Sequence, residues 1–151
     1  MRLSLSEFAD KINELMPVIM KGFSRQHVNE LFKTRVTLPQ FFILVFLYRE
    51  GESKMSDLAH VMNVTTAAMT GIVDRLVRER CLERVYDPED RRIIKVRLTD
   101  KGSELVKKIN QQRRGMIIKI FGRISESDRQ DYLRILTQIK DILTTESSAI
   151  K

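Results

Sequence analysis

The stretch Asp87–Gly102, reading Asp-Pro-Glu-Asp-Arg-Arg-Ile-Ile-Lys-Val-Arg-Leu-Thr-Asp-Lys-Gly, decides how this chain is read. Asp-Pro and the acids after it form turns, because proline fixes φ and aspartate side chains bond nearby backbone amides. Beyond the turn, Ile94, Val96 and Leu98 alternate with Lys95 and Arg97, the period of a half-buried strand. Leu82 to Tyr86 supply a matching run before the turn, so the segment predicts a hairpin with Arg91 and Arg92 at its tip. Basic residues on the open face of a hairpin do not build a core. They predict an arm aimed at an anion.

Upstream, Ser56 is placed to cap a short helix carrying Leu58, Ala59, Val61 and Met62. Asn63 stands at the helix exit and tolerates the left-handed backbone such exits use. Thr65 then caps a second helix, with an apolar stripe at Ala68, Met69, Ile72, Val73 and Leu76. The other face carries Thr66, Ala67, Thr70, Gly71, Arg75 and Arg78, all short, polar or basic. Two helices joined at Asn63–Val64–Thr65 form a helix-turn-helix pattern, and short side chains let such a helix approach base edges in a major groove. Helix-turn-helix followed by hairpin is the order of a winged helix.

The ordered motifs Val64-Thr65-Thr66-Ala67-Ala68-Met69-Thr70-Gly71-Ile72-Val73-Asp74-Arg75-Leu76, Asp90-Arg91-Arg92 and Leu98-Thr99-Asp100-Lys101-Gly102 resemble those of the MarR (multiple antibiotic resistance regulator) family. The segment Leu38-Pro39-Gln40-Phe41 through Leu47 resembles that family's helix leading into the DNA-binding lobe. The resemblance covers most of the chain. It implies a dimeric winged-helix transcription regulator, usually a repressor, often released from double-stranded DNA by a small ligand or an oxidant. It also implies base reading or close approach at Thr65, Thr66, Ala67, Thr70 and Gly71, and a minor-groove contact by Arg92, held by Asp90 and Asp74. Where the family often has a long basic side chain, this chain has Gly71, and Gly71 is equally read as a site of tight helix packing. Arg75, Arg91 and Lys95 are expected at phosphates, which position the protein without specifying sequence. The competing reading of Arg92 is a surface salt bridge.

Composition agrees with that reading without deciding it. In 151 residues, 42% hydrophobic and 31% charged, the chain is expected to be one globular domain. The net charge of +7 and pI near 9.8 favour a polyanionic partner. No segment is apolar for long enough to span a membrane, and charges at Glu7, Asp10, Lys11 and Glu14 are unlike a secretory signal, so a cytoplasmic location is expected. A single cysteine allows no internal disulfide. Cys81 stands where the family usually has glycine, and is read as a small residue packed at a helix end or as a thiol activated by Arg80 and Arg84. His27 and His60 lie far apart, without metal-ligand spacing. No phosphate loop, nucleophile elbow or zinc-hydrolase helix is present, so neither an enzyme nor a cofactor is expected.

The fold class expected is mainly α with a small β-hairpin wing. Residues 37–99 form the DNA-binding lobe, and 1–36 with 100–151 serve mainly dimerisation within a single domain. Phe8, Ile12, Leu15, Ile19 and Phe23 recur at helical spacing, and Pro17 is expected to kink or split that helix. Pro39 opens the next helix, which ends at Gly51. Thr99 caps a long helix to about Phe121, and Ser125 with Asp128 caps a last one striped by Tyr132, Leu133, Leu136, Ile139 and Leu143. Those stripes exceed what one small lobe buries, which predicts a homodimer. Phe8, Ile12, Phe41, Phe42, Val45 and Phe46 are either core or a pocket for a small aromatic or phenolic ligand. An architectural DNA protein without inducer, and a winged-helix protein-assembly module, are the rival functions.

Overall fold

The computed structural model describes residues 3–34 and 36–149, with side chains described over 3–23 and 36–145. Helix α1 spans Leu5–Thr34, α2 Leu38–Glu50, α3 Met55–Val61, α4 Thr66–Arg78, α5 Asp100–Phe121 and α6 Glu126–Ala149. Strands β1 (Ser53–Lys54), β2 (Leu82–Tyr86) and β3 (Ile94–Leu98) form one antiparallel sheet in the order β1-β3-β2. The chain divides into two compact units, Met1–Gln112 and Arg113–Lys151, with the boundary inside α5.

In the first unit, α2 is the central element. Pro39 sits in its first turn, where the missing N–H has no helical partner to lose. The Gln40 side chain accepts the Thr37 backbone N–H at 2.8 Å, so the one buried polar side chain among the described residues is satisfied. Phe41, Ile43, Leu44 and Leu47 enter a core shared with Leu58 and Ala59 of α3, Met69, Val73 and Leu76 of α4, Leu82 of β2 and Val96 of β3. Val106 and Ile109 of α5 close it. Gly51 ends α2 at φ 83°, a backbone region that suits glycine.

Two local expectations are corrected. Ser56 does not cap α3, because β1 pairs with β3 through Ser53↔Val96 and Lys54↔Lys95 and holds the chain extended until Lys54. The helix starts at Met55, and the Ser56 hydroxyl lies 3.4 Å from Asp57 Oδ1 within the first turn. Of the two outcomes expected at Pro17, a kink or a split, the split does not occur: α1 runs unbroken through it. Proline removes one internal hydrogen bond, and a helix of 30 residues with a Ser4–Glu7 capping box keeps the rest.

The remaining terminal elements start as the sequence indicates. Thr99 Oγ1 accepts the Gly102 N–H at 3.1 Å and donates to the Arg80 carbonyl at 2.7 Å, capping α5 onto the end of the α4 segment. In the second unit, Ser125 Oγ accepts the Asp128 N–H at 3.2 Å and donates to Asp128 Oδ2 at 2.6 Å, half of a capping box closed hydroxyl to carboxylate.

Candidate nucleic-acid interface

The turn between α3 and α4 is built as its residues dictate. Asn63 adopts φ 50°, and the Val64 N–H bonds the Ala59 carbonyl at 3.0 Å to close the end of α3. Thr65 Oγ1 accepts the Ala68 N–H at 3.1 Å, so its oxygen is committed to starting α4. Met69, Val73 and Leu76 are buried, and this leaves Thr66, Ala67, Gly71, Arg75 and Arg78 exposed on the opposite face. Thr70 donates its hydroxyl proton to the Thr66 carbonyl at 2.9 Å, so it presents acceptor lone pairs outward. Such a group suits the exocyclic amine of adenine or cytosine.

Gly71 has no packing reason to be glycine. A methyl group added there meets no atom of another element within 4 Å. Tight helix packing against the described residues is thereby excluded, and an unprovoked mid-helix glycine costs about 1 kcal/mol relative to alanine. Gly71→Ala is expected to stabilise the folded protein by about 0.5–1 kcal/mol. The same methyl group is expected to weaken operator binding by holding α4 off the groove. Urea unfolding and DNA titration of one variant read both effects, and unchanged operator affinity would place Gly71 outside the interface.

The wing joins β2 to β3 with full register from Leu82↔Leu98 to Tyr86↔Ile94. Arg91 and Arg92 lie exposed in its tip and make no ion pair among the described residues. Asp90 Oδ1 accepts the Arg92 backbone N–H at 2.9 Å, which shapes the turn and leaves the guanidinium free. Asp74 does not hold Arg92. Its Oδ1 instead lies 2.5 Å from Arg84 Nη2, tying α4 to β2.

Lys95, expected at a phosphate, is turned elsewhere: its Nζ lies 2.9 Å from Asp87 Oδ2 and 3.2 Å from Glu52 Oε1. The hydrogen bond from Lys95, with the Glu89 amide next, holds the Asp87 carboxyl below the usual carboxylate range. Asp87, then Glu52, raises Lys95 in turn. A depressed carboxylate stabilises above its ordinary pKa and a raised ammonium below its own, so the pair persists throughout the neutral range.

Cys81 as a residue is 2% exposed, and burial pushes its thiol pKa up, against Lys101, which lowers it, and with Glu79, which raises it. Burial and a raised thiol pKa fit the small residue packed at a helix end rather than the activated thiol. Among the described residues, no group of three or more His, Cys, Asp or Glu is arranged to hold a metal, and no helix is long and apolar enough to cross a membrane. His27 lies outside the residues whose side chains are described.

The proposed ligand set does not form one enclosed pocket within the chain. Phe41 is core, Val45 and Phe46 pack against that core, and Phe8, Ile12 and Phe42 are exposed. The largely apolar α2 draws its inward residues into the lobe, while the described part of α1 keeps its stripe outward. A surface cleft lies instead beside Glu79, Cys81, Lys101, Leu105, Lys108 and Gln111.

A helix-turn-helix with an exposed small and basic face, followed by an arginine-tipped wing, defines a winged-helix DNA-binding regulator. Residues 36–94 match the family model described as MarR family. Over 143 residues the chain is 23% identical to the HTH-type transcriptional repressor MdtR of Bacillus subtilis, spanning 95% of this chain and 92% of that one. Its fold is similar to that of a MarR family protein from Bacillus stearothermophilus, with TM-score 0.80, 21% identity and coverage of 94% and 99%. It is also similar to a mutant S. aureus MepR bound to an oligodeoxyribonucleotide, with TM-score 0.66, 21% identity and coverage of 87% and 96%. The chain belongs to the MarR family of HTH transcription regulators, DNA-binding proteins and not enzymes.

Proposed function

We propose that this protein is a cytoplasmic homodimeric repressor that binds a pseudo-palindromic operator through α4 and the wing. The observation that carries the reading is the pairing of one solvent-facing side of α4, Thr66, Ala67, Thr70, Gly71 and Arg75, with Arg91 and Arg92, which make no ion pair among the described residues. The first reads a major groove and the second reaches the flanking minor groove. Dimerisation is supported by apolar stripes left uncovered on one chain. On α1, Leu5, Phe8, Leu15, Val18 and Met20 are all at least half exposed. On α6, Leu133, Ile142 and Leu143 are too. A small aromatic effector, in this reading, binds at the assembled dimer, since Phe8 and Ile12 stay exposed on one chain and Phe41 is already core.

Selection of bound fragments from random DNA, combined with sedimentation, tests the proposal. The expected result is a dimer at micromolar concentration that prefers one two-fold-related site over bulk DNA by about a thousandfold or more. Half-sites should sit about one helical turn apart. A stable full-length monomer overturns the dimer. Equal binding to all sequences favours an architectural protein, and failure to bind any DNA at low salt favours a protein-assembly module.

A further inference from the structure

Lys95 lies on β3, the central strand of the sheet, opposite Lys54 on one side and Val85 on the other. Its backbone is therefore fixed from both edges. Its side chain is only 25% exposed, and the ammonium at its end lies between two carboxylates from distant parts of the chain. Glu52 follows Gly51 at the end of α2, whose inner face is the centre of the lobe core. Asp87 opens the wing tip and organises it: Oδ1 accepts the N–H groups of Glu89 at 3.0 Å and Asp90 at 3.4 Å. The Asp87 N–H bonds the Ile93 carbonyl at 3.0 Å, and the Ile93 N–H bonds the Asp90 carbonyl at 2.9 Å. The turn presenting Arg91 and Arg92 is thus one hydrogen-bonded unit, and Asp87 is where Lys95 grips it.

From this geometry we infer that Lys95 is a positioning residue, which anchors the wing tip to the end of α2 through Asp87 and Glu52 and does not contact phosphate. The Asp74–Arg84 pair ties the root of the wing to α4. The Lys95 network ties its tip to α2. Together they set the distance from the groove-facing side of α4 to Arg92, which a winged helix needs fixed if both grooves are to be met at once. An isolated exposed ion pair would do little, but a shared ammonium between two carboxylates, one of them only 17% exposed, forms a network with little freedom.

The inference rests on the DNA-binding reading, and two measurements separate its failure from that of the reading. Lys95→Met keeps the stem and removes the charge. Operator affinity is expected to fall about fivefold, with the log–log salt slope unchanged. A slope flattened by about 0.9 per subunit would make Lys95 a phosphate contact and overturn the inference. Glu52→Gln gives a test of sign: removing a negative charge near DNA strengthens binding if charge alone matters, and weakens it if Glu52 holds the anchor. Combining the two substitutions is expected to cost no more than the worse single one. Hydrogen exchange at the Glu89 and Asp90 amides needs no DNA. It is expected to accelerate in both variants, and unchanged exchange overturns the anchor whatever the protein binds.

Discussion

Arg92→Ala is expected to weaken operator binding about tenfold per subunit, near a hundredfold for a dimer, and to erase preference for A/T-rich flanks. The reason is positional. Asp90 pins the Arg92 backbone at 2.9 Å, Lys95 and Asp87 hold the tip, and the guanidinium itself has no carboxylate partner among the described residues. A guanidinium displayed without a partner has no protein contact to lose on entering a narrow minor groove, where the negative potential is strongest. Arg75→Ala is the contrast. Arg75 lies exposed in the last turn of α4, and its loss is expected to flatten the salt slope by about 0.9 per contact while leaving sequence preference intact. Fluorescence anisotropy over a salt series, on the selected site and on a G/C-flanked version, distinguishes the two. Equal affinity of Arg92→Ala and wild type at physiological salt would remove the wing from the interface.

The parts of this lobe that are legible in sequence are those specified by neighbours a few residues apart. Asn63 in the left-handed region, Thr65 as a cap, the buried positions of α4 and the alternation of β3 all follow from local spacing. Strand β1 does not. Two residues carry no period, and Ser53–Lys54 is extended because β3, some forty positions later, supplies its hydrogen bonds. Ser56 reads as a cap for the same reason: nothing local shows that the chain turns helical at Met55.

Side-chain partners are the least legible part of the site. That Asp74 and Lys95 sit near the interface follows from motif position, but what they touch is a tertiary fact. Asp74 chooses Arg84, ten residues on, over Arg92. Lys95 reaches Glu52, 43 residues back, and is thereby withdrawn from the phosphate role its charge suggests. The aromatic set divides for the same kind of reason. Composition marks α2 as apolar, but burial splits its residues between the lobe core and the surface.

Gly102→Ala is expected to destabilise the protein by about 3 kcal/mol or more, a large share of a small domain's stability. A Cβ at this position would stand 2.1 Å from the Cys81 carbonyl oxygen and 2.9 Å from Leu98 Cδ2. The oxygen is backbone and has no rotamer to move into, and it already accepts the Thr99 N–H at 3.1 Å. Around it, Thr99 bonds the Arg80 carbonyl and Lys101 Nζ bonds the Glu79 carbonyl at 2.7 Å, so the first turn of α5 lies directly on the end of the α4 segment. Arg80 there holds φ 59°, a conformation that costs a non-glycine residue and persists because its neighbours fix it. Backing α5 away by the width of a methyl group would loosen that junction and the seat of Val106 and Ile109 in the core. This gives a physical reason for glycine at the end of Leu98-Thr99-Asp100-Lys101-Gly102. Gly115→Ala is the control, since a methyl group there meets nothing within 4 Å among the described residues, and it is expected to stabilise α5 by up to about 1 kcal/mol. Urea unfolding of the two variants should move the midpoint in opposite directions, and a Gly102→Ala midpoint equal to wild type would show that α5 does not need this close seat.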